Sequence, residues 1–174
     1  MSPLDAFNNA DAFSATAVLT NCCASRRWAR AVAARRPFES LAALIDAART
    51  AWSEVSDRDR LRAFAAHPLI GDVELLRKRY GDTGDRANAE QGQVLGADER
   101  VLRELAELNI DYRNRHGFIF IVYASGKSAE EMLDLLKERI HRSTDDEIAT
   151  AAADQMKITE LRLTELMNPT RVSA

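Results

Sequence analysis

The sequence predicts an all-α fold, and three observations support this prediction. The chain has 174 residues, is rich in alanine and contains only 7 glycines and 4 prolines, a composition that favours helices. Several segments combine helical spacing of apolar residues with residues typical of helix ends. Only one stretch, FIFIVYASG at 118–126, has the β-branched and aromatic character of a strand. A single strand cannot form a sheet, so we expect a buried extended connection, partly helical at most, with backbone amides available to a ligand.

The first predicted helices are marked by polar caps and by a proline. Ser40 precedes the stretch LAALIDAARTAWSEV and is a favourable N-cap residue. Asp57 is predicted to cap a short helix that ends at His67-Pro68, because proline disfavours the α conformation of the residue before it. This break displays His67 at a helix end.

The later predicted helices are longer. Residues 97–116 form an amphipathic helix that ends at Gly117, a residue suited to the left-handed conformation. Two Ser/Thr-x-x-Glu sequences, at 128–131 and 144–147, have the form of capping boxes that begin two further helices. The last of these is expected to end at Asn168-Pro169. The predicted inward-facing residues of these helices are Val101, Leu105, Leu108, Tyr112, Met132, Leu136 and Ile140.

Length and composition indicate one domain spanning residues 1–174. The formal charge of −3 and the absence of a long apolar stretch argue against nucleic-acid and membrane partners. The first residues lack the pattern of a signal peptide, so a cytoplasmic protein is expected. The adjacent Cys22 and Cys23 are predicted to be reduced packing residues, since sequence neighbours rarely form a disulfide. A basic run is interpreted as a solvated helix face; it comprises Arg26, Arg27, Arg30, Arg35 and Arg36.

Motifs for nucleotide binding, zinc hydrolysis and serine hydrolysis are absent from the sequence. The remaining polar candidates are His67, Glu90, Gln91 and Arg139. Each alone has a structural explanation, such as a helix cap, a solvated loop carboxylate or a surface arginine. The other two histidines, His116 and His141, stand near predicted helix ends and are interpreted as structural.

The order of several motifs along the chain is more specific. The segments CCASRRWARAVAARRPF (22–38), AHPLIGD (66–72), AEQ (89–91), LNIDYRNRHGFIFIVYASGKS (108–128), LKERI (136–140) and KITELRLTEL (157–166) follow one another. Together they resemble the family of 2-oxo-4-hydroxy-4-carboxy-5-ureidoimidazoline (OHCU) decarboxylases over about residues 4–167. That family completes the conversion of urate to allantoin.

The resemblance implies an all-α bundle of the OHCU decarboxylase type, a homodimer that uses no metal and no organic cofactor. It also implies that the substrate is OHCU and that the products are (S)-allantoin and CO₂. By position, His67 and Glu90 match the catalytic residues of the family. The positions that match substrate-binding residues are Pro68, Ala87, Gln91, Phe118, Phe120, Ile121 and Arg139.

Two positions depart from the family pattern. Ala87 stands where a serine is usual, and Arg142 stands where an asparagine is often found. Loss of one hydroxyl donor to the substrate would cost about 1 kcal/mol of binding free energy, which affects affinity more than reaction type.

Two alternatives follow from these departures and from the histidines. The first is a catalytically impaired helical adaptor of the same fold that docks a partner through its arginine-rich helix. The second is a metal-dependent hydrolase using His67, Glu90 and His116, although their spacing matches no known ligand pattern.

Overall fold

The computed structural model describes residues 1–69, 71–81 and 98–168. Within these ranges the chain forms helices and no strand, which confirms the all-α prediction. The helices are α1 (Pro3–Asn9), α2 (Ala12–Cys22), α3 (Arg26–Ala33), α4 (Leu41–Ser53), α5 (Asp57–Ala65), α6 (Val73–Gly81), α7 (Glu99–His116), α8 (Ala129–Arg139) and α9 (Thr144–Met167).

Two compact units divide the chain, one of Met1–Ala66 with Thr150–Ala174 and one of His67–Ala149. Their boundary falls directly before His67 and again within α9. The expectation of a single domain over residues 1–174 stays a prediction.

Local sequence signals place several helix ends correctly. Ser40 caps α4 by accepting a hydrogen bond from the Ala43 amide, and Ser128 forms the predicted capping box with Glu131 at the start of α8. Gly117 ends α7 with a left-handed φ of 79°. These ends depend on side-chain and backbone chemistry within a few residues, which a sequence motif can describe.

Two predicted caps are wrong. Asp57 is the first residue of α5, and the preceding Ser56 is its N-cap. At α9 the cap is Ser143, whose hydroxyl accepts from the Asp146 amide at 3.1 Å. Thr144 is already helical, so the predicted capping box of residues 144–147 does not form. In both cases a serine one position earlier takes the capping role.

In the unit of Met1–Ala66 with Thr150–Ala174, long side chains bridge separate helices. Trp28 donates its indole N–H to the Ala48 carbonyl, and Trp52 donates to the Ala152 carbonyl, each at 2.9 Å. Both rings are buried, so each combines apolar burial with a satisfied N–H group. These bonds attach α3 to α4 and α4 to α9.

The basic run is only partly a solvated face. The first four arginines of the run are exposed, but Arg36 is half-buried, and its Nη1 donates to the carbonyls of Phe7 and Ala10 at 2.7 Å each. Arg36 therefore satisfies carbonyl groups at the C-terminal end of α1. The prediction that the side chain is solvated is therefore wrong for Arg36.

Cys22 and Cys23 are buried and form no disulfide. Burial raises the pKa of the Cys23 thiol to about 11, so the thiolate is scarce near neutral pH. Both residues act as small apolar packing groups, as predicted. Among the described helices, none has the length and apolar character needed to cross a bilayer.

In the unit of His67–Ala149, the core lies among α6, α7 and α8. Its largest fully buried apolar side chains are Leu76, Leu102, Leu105, Tyr112, Met132 and Leu136. The buried face of α7 is rotated from the predicted one, because Leu102 and Asn109 are buried whereas Val101 and Leu108 are only half-buried. The inward positions predicted on α8 are buried as expected.

The segment at 118–126 joins α7 to α8 without helix or strand structure. Phe118, Phe120 and Ile121 are each at most 6% exposed. The predicted buried extended connection is therefore present, and it has no helical part.

Gly117→Ala should lower the free energy of unfolding by about 1 kcal/mol, because a β-carbon is strained at positive φ. Among the described residues other than its two chain neighbours, no atom lies within 4 Å of the position that this carbon would take, so the cost comes from the backbone conformation. Urea denaturation checks the value. Arg115→Ala, at an exposed position two residues earlier, is the control and should change stability by less than about 0.5 kcal/mol. Equal stability of Gly117→Ala and the wild type would contradict the expectation.

Candidate active site

His67 begins the loop between α5 and α6. Helix α5 ends at Ala65 with Ala66 as its C-cap, so the break expected at the His-Pro pair occurs. His67 is half-buried and Pro68 is exposed. An imidazole in this position is displayed by the backbone rather than enclosed in a core.

The loop after His67 lies close to α7. A β-carbon on Gly71 would come within 3.3 Å of Ile110 Cγ1 and 3.5 Å of Leu69 Cδ2, so glycine permits the close approach. Asp72 then caps α6 by accepting from the Glu74 amide at 2.8 Å. The HPLIGD sequence therefore combines a helix break, a close backbone contact and a helix start.

Arg139 is buried at the end of α8, with 4% of its surface exposed. Its Nε donates to Glu147 Oε2 at 2.9 Å, and its Nη1 donates to the Ile121 carbonyl at 2.9 Å. The guanidinium carbon lies 4.6 Å from the centre of the Phe120 ring. A planar guanidinium held at two edges and over one ring has a defined orientation.

Glu147, in the first turns of α9, is completely buried. Its Oε2 accepts from Arg139 and also from the Tyr112 hydroxyl at 2.6 Å. Its Oε1 lies 3.2 Å from Nη1 of Arg142. A buried carboxylate is costly unless it is paired and hydrogen-bonded, and here one tyrosine and two arginines supply the partners.

Tyr112 has aromatic neighbours on several sides. The centres of the Phe118 and Phe120 rings lie 5.8 and 5.2 Å from its own, both in edge-to-face geometry, and the His116 ring lies 4.5 Å away. Burial, reinforced by the hydrogen bond to Glu147, raises the pKa of Tyr112 above its usual value. The phenol therefore stays neutral and donates to the carboxylate.

His116 is buried and hydrogen-bonded through both ring nitrogens. Nε2 lies 3.2 Å from the Ile140 carbonyl, and Nδ1 lies 3.1 Å from the Thr144 hydroxyl. A carbonyl can only accept, so Nε2 carries a hydrogen, and Nδ1 pairs with the Thr144 hydroxyl, which can donate or accept. These contacts assign His116 a structural role and speak against its use as a metal ligand. Within the three described ranges, no group of three His, Cys, Asp or Glu side chains is placed to hold a metal ion.

The structure brings part of the predicted site together. Phe120, Ile121 and Arg139 are in mutual contact, and Phe118 joins them through Tyr112. His67 and Pro68 belong to the same compact unit. The remaining predicted positions, Ala87, Glu90 and Gln91, lie outside the described residues.

Two residues of this cluster are not among the predicted site residues: Glu147, which accepts from Arg139, and Tyr112, which donates to Glu147. Tyr112 was predicted only as part of an apolar face, and Glu147 only as part of a capping box. A signal for Glu147 was present, because it lies four and eight residues before the buried Ala151 and Gln155 of α9. A carboxylate on a buried helix face requires a partner.

The profile of the OHCU decarboxylase family matches residues 8–164, which is most of the chain. The chain belongs to the OHCU decarboxylase family. The ordered motifs predict this family and its decarboxylase class. Both predictions are confirmed.

Individual members of the family agree with this assignment. The uric acid degradation bifunctional protein TTL of Arabidopsis thaliana is 38% identical over 148 residues, which cover 84% of this chain and 45% of that protein. The chain therefore spans less than half of this two-function relative. The OHCU decarboxylase of Mus musculus is 29% identical over 147 residues, covering 80% of this chain and 78% of that protein.

A solved structure shares the fold. The crystal structure of an OHCU decarboxylase determined in the presence of (S)-allantoin is 36% identical, with a TM-score of 0.70, and covers 86% of this chain and 96% of that one. The helical architecture described above is therefore that of the OHCU decarboxylase family.

Proposed function

We propose that this protein decarboxylates OHCU to (S)-allantoin and CO₂, the last step in the oxidation of urate to allantoin. The observation that carries the proposal is the buried Arg139, held by Glu147 against Phe120 and the Ile121 carbonyl. It combines a fixed cation with an apolar wall. An anionic heterocycle requires both features of its binding site.

The chemistry sets a limited task for the protein. Cleavage of the bond between the ring carbon and the carboxylate releases CO₂ and leaves the bonding electron pair on carbon. The C=N bond at the neighbouring, ureido-bearing ring carbon takes up that pair, which forms a C=C bond between the two carbons while the ring nitrogen gains a proton. The hydroxyl then loses its proton as its carbon becomes the carbonyl of allantoin. The protein has to orient the substrate, remove water from the departing carboxylate and deliver one proton to one face of the ureido-bearing carbon, so that only the (S) product forms.

His67 is the proposed proton donor. Imidazole titrates near neutral pH, which suits an acid that must be both protonated and able to release the proton. Its half-buried position on the loop before α6 allows access to a ligand. In this proposal Glu90 fixes the protonation state and orientation of the imidazole or the substrate, and Gln91 pairs with the N–H and C=O edge of the ureido group.

Arg139 is the proposed anchor for the negative charge of the substrate. Its guanidinium donates in fixed directions, which a flexible lysine would not provide. Phe118, Phe120 and Ile121 are buried beside it and form the proposed apolar wall, with Pro68 and Ala87 completing the contacts. The proposal includes a cytoplasmic homodimer without metal or organic cofactor, and light scattering tests the dimer.

The assay uses fresh OHCU, made from urate by urate oxidase and hydroxyisourate hydrolase. Wild-type protein should accelerate loss of the OHCU absorbance and give (S)-allantoin rather than the racemic product of spontaneous decay. Circular dichroism of the product mixture measures this bias. An unchanged rate together with a racemic product would exclude the decarboxylase.

The alternative is a catalytically impaired adaptor of the same fold. A cavity of about 570 Å³ between α2 and α3 is lined by Phe13, Arg26 and Arg30 among other residues, and the first four arginines of the basic run are exposed. The same assay separates the two functions, because an adaptor would bind a partner without changing the decay of OHCU.

Ala87→Ser should lower KM for OHCU about fivefold, the equivalent of one hydrogen bond of about 1 kcal/mol. The change adds the hydroxyl that the family usually carries and should leave kcat within about twofold, as expected for a uniform binding contact. Initial rates over a range of OHCU concentrations measure both constants. Ala87→Val, which adds bulk without a hydrogen-bond donor, is the control. An unchanged KM in the serine variant would mean that another group already donates this hydrogen bond to the substrate.

A further inference from the structure

Two arginines share one buried carboxylate in this site. Glu147 is completely buried, and its two oxygens are divided between Arg139 at 2.9 Å and Arg142 at 3.2 Å. The two arginines differ in exposure, because the side chain of Arg139 is 5% exposed and that of Arg142 is 39% exposed. The buried arginine is the proposed substrate anchor, and the more exposed one is therefore an additional charge close to it.

Glu147 is one of the groups that hold the guanidinium of Arg139. It takes the Nε–H, while the Ile121 carbonyl takes an Nη1–H and the Phe120 ring covers one face. Glu147 cannot easily turn away, since the Tyr112 hydroxyl donates to the same oxygen at 2.6 Å. The orientation of the guanidinium plane thus depends on a carboxylate that does not itself need to contact a ligand.

Charge gives these residues a second effect on Arg139. The negative charge of Glu147 weakens the attraction of Arg139 for another anion, whereas the positive charge of Arg142 offsets part of Glu147. Both effects are strong where water is excluded and weaker where a side chain reaches solvent. Removal of either charge should therefore shift the anion affinity of the site, in opposite directions.

We propose that Glu147 is a positioning residue that orients Arg139 and that Glu147 and Arg142 together set the affinity of the site for a carboxylate-bearing ligand. The inference rests on the proposed function in taking Arg139 as the substrate anchor. It assigns a role to Arg142, the residue that stands where an asparagine is often found. Arg142 raises the preference of this chain for anionic over uncharged ligands.

The test compares two probes that differ in charge. Allantoate carries a carboxylate, and (S)-allantoin is uncharged near neutral pH. Isothermal titration calorimetry gives their dissociation constants for the wild type, Arg142→Gln and Glu147→Gln. Arg142→Gln should weaken allantoate binding by about two- to fivefold, and Glu147→Gln should strengthen it by at least as much. (S)-Allantoin binding should stay within about twofold in Arg142→Gln.

Turnover supplies a second readout. Glu147→Gln should lower kcat for OHCU at least about tenfold without raising KM, because the guanidinium is less well oriented while the site attracts the anion more strongly. Arg142→Gln should raise KM and leave kcat within about twofold. A merely structural role for either residue would change the binding of both probes in the same direction and would overturn the inference.

The matched control is Arg113→Gln, an exposed position on the last turn of α7. It makes the same change in net charge as Arg142→Gln and should leave both dissociation constants unchanged. If Glu147→Gln does not fold, Tyr112→Phe replaces it. That variant removes one hydrogen bond to Glu147 without changing the net charge. The value of kcat should therefore fall severalfold, while the dissociation constant for allantoate stays the same. An unchanged kcat would contradict the positioning role of Glu147.

The outcomes also separate this inference from the proposed function. A wild type that turns over OHCU while the two variants show no opposite shifts in allantoate binding would refute the role of Glu147 and Arg142 alone. A wild type that leaves OHCU decay unchanged would refute the decarboxylase itself. The binding measurements do not require turnover, so they can be interpreted whether or not the wild type is active.

Discussion

His67→Ala should lower kcat for OHCU at least about a hundredfold, since general acid catalysis by a positioned side chain contributes about 10²–10⁴ in rate. Without proton delivery by the protein, the electron pair released by decarboxylation can recombine with CO₂, or the ureido-bearing carbon can take a proton from water on either face. The residual product should therefore lose its (S) bias. Stopped-flow decay of OHCU and circular dichroism of the product measure the two effects.

The control for His67→Ala is His141→Ala. His141 is exposed directly after the C-cap of α8, so its replacement should change neither rate nor product. His116 is unsuitable as a control, because its ring is buried and hydrogen-bonded to two other residues. Full activity and full stereospecificity in His67→Ala would remove the imidazole from the mechanism.

Sequence reasoning was reliable where structure depends on neighbouring residues. Ser128 and Glu131 satisfy each other's backbone amides within four residues, and Gly117 ends α7 through its own backbone freedom. Even there, the prediction fails when a neighbouring residue can also act as the N-cap. Ser143 takes the cap of α9 because it stands one position before the threonine whose spacing fitted the motif.

The partners of Arg139 could not be predicted in the same way. Glu147 is on a different helix, and Ile121 belongs to the connection before α8. Which acceptors meet depends on how α7, α8 and α9 pack, and neither helical spacing nor capping chemistry contains that information. The ordered motifs identified Arg139 as a binding residue, and the structure supplies the groups that hold it.

The same packing explains the outcome for the aromatic segment. Its β-branched and aromatic residues suggested a strand, but no other extended segment in the described ranges pairs with it. Instead Phe118 and Phe120 pack edge-on against Tyr112, while the Ile121 carbonyl accepts from Arg139. Tertiary contacts thus replace the strand pairing that local propensity favours.

Glu147→Ala should lower the free energy of unfolding by about 3–5 kcal/mol, the usual cost of removing one partner of a buried ion pair. The substitution leaves the buried Arg139 without its acceptor at 2.9 Å and the Tyr112 hydroxyl without its acceptor at 2.6 Å. Urea denaturation followed by circular dichroism measures the loss. Glu138→Ala is the matched control, because Glu138 is exposed on α8, and it should change stability by less than about 0.5 kcal/mol.

A second substitution distinguishes the cost of an unpaired charge from the cost of a cavity. Arg139→Met in the Glu147→Ala background removes the uncompensated cation and keeps an apolar side chain over Phe120, so the double variant should be more stable than Glu147→Ala alone. Additive losses would instead mean that the two residues stabilise the fold independently. Such a result would contradict the view that the carboxylate is buried in order to hold this guanidinium. Restored stability in the double variant would mean that α8 and α9 fold without the ion pair, which leaves the orientation of Arg139 as the role of Glu147.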